Sequence, residues 1–238
     1  MILMAVMTFA AAGIRGVTGF GMAIVLVPLL ALVVRPDEAV VVAILLQFLI
    51  GPVGLKTILA DSERPSSLII AGSAMLATPL GLWLLAHISP DLARILIAGV
   101  AISAFLFVLI PKREARPLHL LQTIITGLSA GILTGFAGMP GPPVVPYYLR
   151  HGVSPHKARA SMMLVFFATA IAGTVAAFVS GLATSKLVIV AFILMPPMLA
   201  GNWLGARAFG RMDPALWRIG VSILLGGAAF SAVWRALT

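Results

Sequence analysis

Cysteine is absent from all 238 residues. That excludes a disulfide framework, a thiol nucleophile and a cysteine-ligated metal. Charge is scarce as well: Asp, Glu, Lys and Arg make up 10% of the chain, against about 25% in soluble domains. Acids are the scarcer sign, with 7 Asp and Glu beside 16 Lys and Arg. None of the acids stands in the middle of an apolar run. This weakens a cation substrate and an acid-based proton relay, because both place a carboxylate at membrane depth. It also disfavours an enzyme, since no acid–base pair or activated nucleophile is visible. The four histidines, His87, His119, His151 and His156, sit at run ends without a carboxylate at metal-ligand spacing, so neither metal nor other cofactor is expected.

What the chain has in abundance is apolar length. Hydrophobic residues make up 61% and the mean hydropathy is +1.13. Soluble domains of this size cannot hide so much apolar surface, so lipid is the solvent for much of it. No hydrophilic stretch is long enough for a separate soluble domain, and one membrane domain is expected. The net charge is +9. Lys and Arg are scattered singly at the ends of apolar runs, with no basic face or interleaved aromatics. They read as anchors against membrane lipid and as topology signals, and nucleic acid is not an expected partner. Ala10-Ala11-Ala12 imitates a signal-peptide cleavage site, but no basic region precedes it, so this segment is read as part of the domain.

Apolar runs cover 1–34, 39–60, 66–87, 92–110, 117–149, 158–182, 187–206 and 215–234. Arg35 to Glu38, Asp61 to Pro65, Ser89-Pro90-Asp91, Pro111 to Pro117, Ser154-Pro155 and Asp213-Pro214 separate them. Ser or Asp followed by Pro is a cap and first-turn signal. The fold class is therefore all-α and polytopic, and six runs have the length of ordinary spanning helices.

Runs one and five differ. Run five holds about 33 residues without a charged side chain; as one helix it would be about 50 Å long, against a hydrocarbon core of about 30 Å. It contains Gly135-Phe136-Ala137-Gly138-Met139-Pro140-Gly141-Pro142-Pro143, which a continuous helix does not tolerate. Run one carries a milder version, Gly13-Ile14-Arg15-Gly16-Val17-Thr18-Gly19-Phe20-Gly21. Each is expected to be two half-helices around a non-helical centre, lining a cavity or buried in protein.

The halves also repeat. Thr18-Gly19-Phe20 matches Thr134-Gly135-Phe136, Pro28 matches Pro146, Gly81 and Trp83 match Gly201 and Trp203, and Pro90 and Arg94 match Pro214 and Arg218. Two repeats of about four runs each follow, 1–110 and 117–238. If the broken runs cross fully, Lys and Arg divide almost evenly between the two sides. If both re-enter, Lys56, Arg64, Lys112, Arg113, Arg116, Arg150, Lys157, Arg159, Arg207, Arg211 and Arg218 gather on one side, against Arg35, Arg94, Lys186 and Arg235. The second arrangement obeys the positive-inside rule and makes the repeats inverted.

The breaks are also the candidate site. Half-helix N-termini carry unpaired N–H groups and partial positive charge, and glycine lets a ligand approach them. Gly19, Phe20, Gly21, Gly135, Gly138, Met139 and Gly141 are the residues concerned; the competing reading is close helix packing. Arg15 and Arg159 either pair an anion or snorkel to an interface, and both readings stay open. Lys157 reads as a snorkeller. Gln47 and Asn202, mid-run, are either ligand contacts or hydrogen-bond glue between helices. Tyr147 and Tyr148 read as part of an interfacial belt.

With these residues laid out, the chain resembles the TauE/SafE sulfite-exporter family of membrane anion transporters. The matching stretches are Arg15 to Gly21 through Val27-Pro28-Leu29-Leu30, and Gly135 to Pro143. The resemblance implies a bacterial inner-membrane carrier of sulfite, sulfonates or related carboxylates. It places Gly19, Phe20, Gly21 and Pro28 in the first motif and Gly135, Gly138, Gly141 and Pro146 in the second. Met22-Ala23 depart from the run of glycines common in the family's first motif, which leaves the substrate open. The expected function is secondary transport of a small anion. The alternative is a channel-like or scaffold membrane protein without a transport cycle, and homo-oligomerisation is left open.

Overall fold

Glycine and proline set where the helices start and stop. The computed structural model describes residues 1–109 and 119–208. In the first half, α1 (Ile2–Thr18) ends on Gly19 at φ 80, and Gly21 at φ 90 opens α2 (Met22–Leu30). Pro36 lies in the first turn of α3 (Pro36–Ile50), where the Arg35 N–H donates to Glu38 Oε2 at 3.2 Å. α4 (Leu55–Asp61) follows, then α5 (Arg64–Ala86), capped by Glu63, whose carboxylate accepts from the Ser66 N–H at 2.9 Å, and α6 (Pro90–Leu109). In the second half, α7 (Leu120–Ala137) ends on Gly138 at φ 69, and α8 (Gly141–Arg150), α9 (Pro155–Val179) and α10 (Ser185–Ala208) follow. No strand occurs among the described residues. Run eight, the Pro111–Pro117 connection, Asp213-Pro214 and the Pro214 and Arg218 matches lie outside the described residues.

Four described helices are long and apolar enough to cross a membrane: α5, α7, α9 and α10 as far as Arg207. Both expected breaks are present, with two differences in detail. The non-helical part of run five is only Gly138 to Pro140; Gly135 belongs to the last turn of α7, and Pro142 and Pro143 to the first turn of α8, where a missing N–H costs no bond. The left-handed residues that end α1 and α7 are Gly19 and Gly138, three positions off the Thr18–Thr134 match. Run two also departs from the straight helix expected of it: α3 and α4 meet at 84°. Pro52 lacks an N–H, Gly54 takes φ 74, and the Phe167 ring occupies the place of a Cβ at Gly51, 1.8 Å from its ideal position.

Small residues decide the packing. Gly127, Gly131 and Gly135 of α7 lie against Ile70, Ala74 and Thr78 of α5; a Cβ at Gly131 would stand 2.1 Å from the Ala74 carbonyl oxygen. The partner numbers rise together, so α5 and α7 run parallel. α1 and α10 do the same, with Gly13 against Gly201 and Gly16 against Asn202 and Gly205. In lipid such close backbone approach supplies the dispersion energy that the hydrophobic effect does not.

These contacts make each broken run a hairpin. α7 follows α5 from Gly127 beside Ile70 to Gly135 beside Leu82. α8 then returns, so that the Tyr147 hydroxyl meets Thr123 Oγ1 at 2.8 Å, near the start of α7, and Tyr148 OH lies 3.4 Å from Ser66 Oγ, near the start of α5. Tyr147 and Tyr148 are 3% and 1% exposed. They are buried struts of the hairpin rather than an interfacial belt. α1 follows α10 to Gly205, and the chain then comes back so that Glu38 pairs with Lys186, at the opposite end of α10, at 3.9 Å. The start of α5 is tied to the start of α9 by the Glu63 N–H donating to Ser161 Oγ at 2.8 Å, whereas α10 begins just beyond the end of α9. The hairpins therefore enter from opposite ends. Their returning helices pass each other where a Cβ at Gly138 would lie 3.3 Å from Val27 and one at Gly141 3.3 Å from Ile24.

Candidate functional site

The two breaks meet at a cleft lined by Arg15, Phe20, Gly21, Met22, Ala23, Ile24, Gln47, Met139, Pro140, Gly141 and Phe166. Its empty volume, open mouth included, is about 280 Å³, yet it is a thin slot with room for about one water. Six of the residues singled out in the sequence come together here: Arg15, Phe20, Gly21, Gln47, Met139 and Gly141. Phe166 carries no sequence signal of its own; only the packing of α9 brings it in.

Arg15 is 6% exposed, and its Nη1 donates to Asn202 Oδ1 at 2.9 Å. Among the described residues no carboxylate pairs with it. A guanidinium has five donors, so most remain after the Asn202 bond. Arg159 Nη2 donates to the Gly16 carbonyl at 2.9 Å, capping the negative end of α1, and the two guanidiniums are close enough to repel. The Arg159 stem covers Gly19, where a Cβ would stand 2.3 Å from its Cγ. Arg15 is therefore a buried cation, and Arg159 a half-buried one whose head lies on the first break.

The two half-helix N-termini are unequal donors. At α2 the N–H groups of Met22, Ala23 and Ile24 bond to no described acceptor, and all three residues line the cleft. At α8 the first turn reads Gly141-Pro142-Pro143, so two of its three N–H groups do not exist. Arg15, Arg159 and the α2 terminus thus supply the positive potential, and the α8 terminus adds little. Gln47 bridges α3 to the second break: its Nε2 donates to the carbonyls of Ala43 at 3.2 Å and Gly138 at 3.0 Å. Gly138 touches the cleft only through that bond, and Gly135 lies apart from it, in the α5–α7 contact. Lys157 is exposed. Among the described residues no three His, Cys, Asp or Glu side chains gather as a metal site.

A narrow cleft of net positive charge between two broken helices suits a small anion. The family model of the sulfite exporter TauE/SafE proteins matches residues 4–232. The chain belongs to the TauE/SafE family. A curated relative, the probable sulfite/organosulfonate exporter TauE of Cupriavidus necator, is 27% identical over 103 residues, 43% of this chain and 40% of that protein. The match thus spans about two fifths of the relative's length. No solved structure matches the chain. In this TauE/SafE protein the first motif carries Arg15 and the α2 N-terminus, and the second contributes Met139, Pro140 and Gly141 to the same cleft.

Proposed function

We propose that the chain is a secondary transporter of a small anion, sulfite or an organosulfonate or related carboxylate, in a bacterial inner membrane. One observation carries this reading: the cleft between the two breaks holds a buried arginine and three N–H groups that bond to no described acceptor, with no described carboxylate to neutralise them. The names of the family and of the Cupriavidus relative support the same substrate class.

In this reading both hairpins re-enter the bilayer from opposite faces, and 1–110 and 117–238 are inverted repeats. The return of Tyr147 to Thr123 and of Glu38 to Lys186 supports it. Lys56, Arg64, Arg150, Lys157 and Arg207 then share the cytoplasmic end, and Arg35, Arg94 and Lys186 the opposite one, as the positive-inside rule requires. The thin cleft is a closed state; transport needs the hairpin tips to part, one repeat rocking on the other. Proteoliposomes containing the purified chain test this. Uptake of labelled sulfite or a short sulfonate is expected to saturate and to be blocked by excess unlabelled anion. A linear, uncompeted flux, or none, would overturn the carrier reading.

A further inference from the structure

The cleft contains one side chain of the opposite character to its arginine. Gln47 is 8% exposed and lines the cleft between Arg15 and the second break. Which way its amide faces is decided by its partners. Both are backbone carbonyls, Ala43 O and Gly138 O, and only an NH₂ group can donate to two acceptors. The carbonyl Oε1 is therefore turned away from them. It accepts no bond from the described residues and keeps some accessible surface, unlike the buried unbonded polar atoms elsewhere. Among the side chains lining the cleft, Arg15 and Gln47 are the polar ones, one a donor only and the other presenting an acceptor.

A simple anion such as an alkylsulfonate has acceptors only. It satisfies Arg15 and the α2 N–H groups, but closing over it strips water from Gln47 Oε1 and leaves that oxygen unpaired, which a binding site penalises. An anion that also carries a donor satisfies both. We propose that Gln47 selects anions bearing a neutral hydrogen-bond donor, either hydrogensulfite or a hydroxyl-bearing sulfonate, over anions without one. An ammonium donor is the poorer choice, because Arg15 and Arg159 already place two positive charges at this break. This inference rests on the carrier reading, and it adds the property by which the cleft discriminates.

Three sulfonates with equal numbers of heavy atoms test it: 2-hydroxyethanesulfonate, propane-1-sulfonate and 2-aminoethanesulfonate. Their dissociation constants on the purified full chain are read by titration calorimetry. The hydroxyl compound is expected to bind about three- to tenfold more tightly than the propyl one, the worth of one neutral hydrogen bond, and more tightly than the amino one. Gln47→Met keeps the length and removes the acceptor. Loss of the Gly138 bond weakens all three ligands together, so the readout is the hydroxyl-to-propyl ratio, which is expected to fall to about one. For sulfite, affinity is expected to decline as pH rises through its own second ionisation, while that of 2-hydroxyethanesulfonate stays level. A wild-type ratio of one or below overturns the inference even if Gln47→Met does not fold, and so does a ratio that survives the substitution. Equal binding of all three sulfonates leaves the carrier reading standing, whereas binding of none of them, nor of sulfite, overturns both.

Discussion

Arg15→Lys separates an arginine that grips an anion from one that only supplies charge. In the structure Nη1 is committed to Asn202 Oδ1 at 2.9 Å, and the remaining donors of the planar fork are free for the cleft. Lysine offers a point charge on a flexible stem and cannot hold Asn202 while presenting two parallel donors to a sulfonate. Losing one charge-assisted hydrogen bond costs about 1.5–3 kcal/mol, so the sulfonate dissociation constant is expected to rise about ten- to hundredfold. Asn202→Ala removes only the positioning bond. It is expected to lower Tm and to weaken binding less than Arg15→Lys does. Titration calorimetry on wild type and the two variants, with Tm measured in parallel, reads both effects. An Arg15→Lys protein that binds within about threefold of wild type would refute the bidentate reading, since less than one neutral hydrogen bond would then have been lost. If Arg15→Gln were equally silent, the α2 N-terminus would be the remaining anion-binding element.

Topology is tested by single cysteines in this cysteine-free chain. With both hairpins re-entrant, cysteines at Met1 and Asp37 are expected to label from one face, and cysteines at His119 and Arg150 both from the other; opposite labelling within either pair would sink the re-entrant arrangement. The Thr123–Tyr147 strut is expected to be worth about 1 kcal/mol as a buried hydrogen bond, so Tyr147→Phe should lower Tm by a few degrees without altering anion affinity, and an unchanged Tm would show that the strut carries no stability. Glycines divide by what surrounds them. Gly131→Ala places a methyl 2.1 Å from the Ala74 carbonyl and is expected to abolish folded, monodisperse protein. Gly72→Ala meets nothing within 4 Å and is expected to stabilise the helix by about 0.5–1 kcal/mol. Similar expression of the two would contradict the packing account. Gly21→Val and Gly138→Val are poor probes of anion approach, because φ 90 and φ 69 strain a β-branched residue before any ligand arrives.

By itself the sequence determined the class of the molecule. Apolar run length and scarce charge require helices in lipid, because that solvent leaves backbone polar groups no partner outside the helix. Prolines and glycines at Gly19 to Gly21 and Gly138 to Pro140 announce the two breaks, since their backbone chemistry acts locally. Arg15 is conspicuous in an apolar run, but the sequence left it between an anion contact and a snorkeller; its burial beside Asn202 is a tertiary result. Tertiary structure alone decided the rest. Whether a glycine serves packing or a ligand depends on what stands opposite it, and that separates Gly135, against Thr78, from Gly141, in the cleft. The ring that requires glycine at Gly51, at the 84° turn, belongs to Phe167, far along the chain. Which end of the Gln47 amide is turned from the backbone carbonyls is set in part by the carbonyl of Gly138, 91 positions away. Local propensity is written in neighbouring residues, whereas partner identity arises only when distant helices are brought within hydrogen-bond reach.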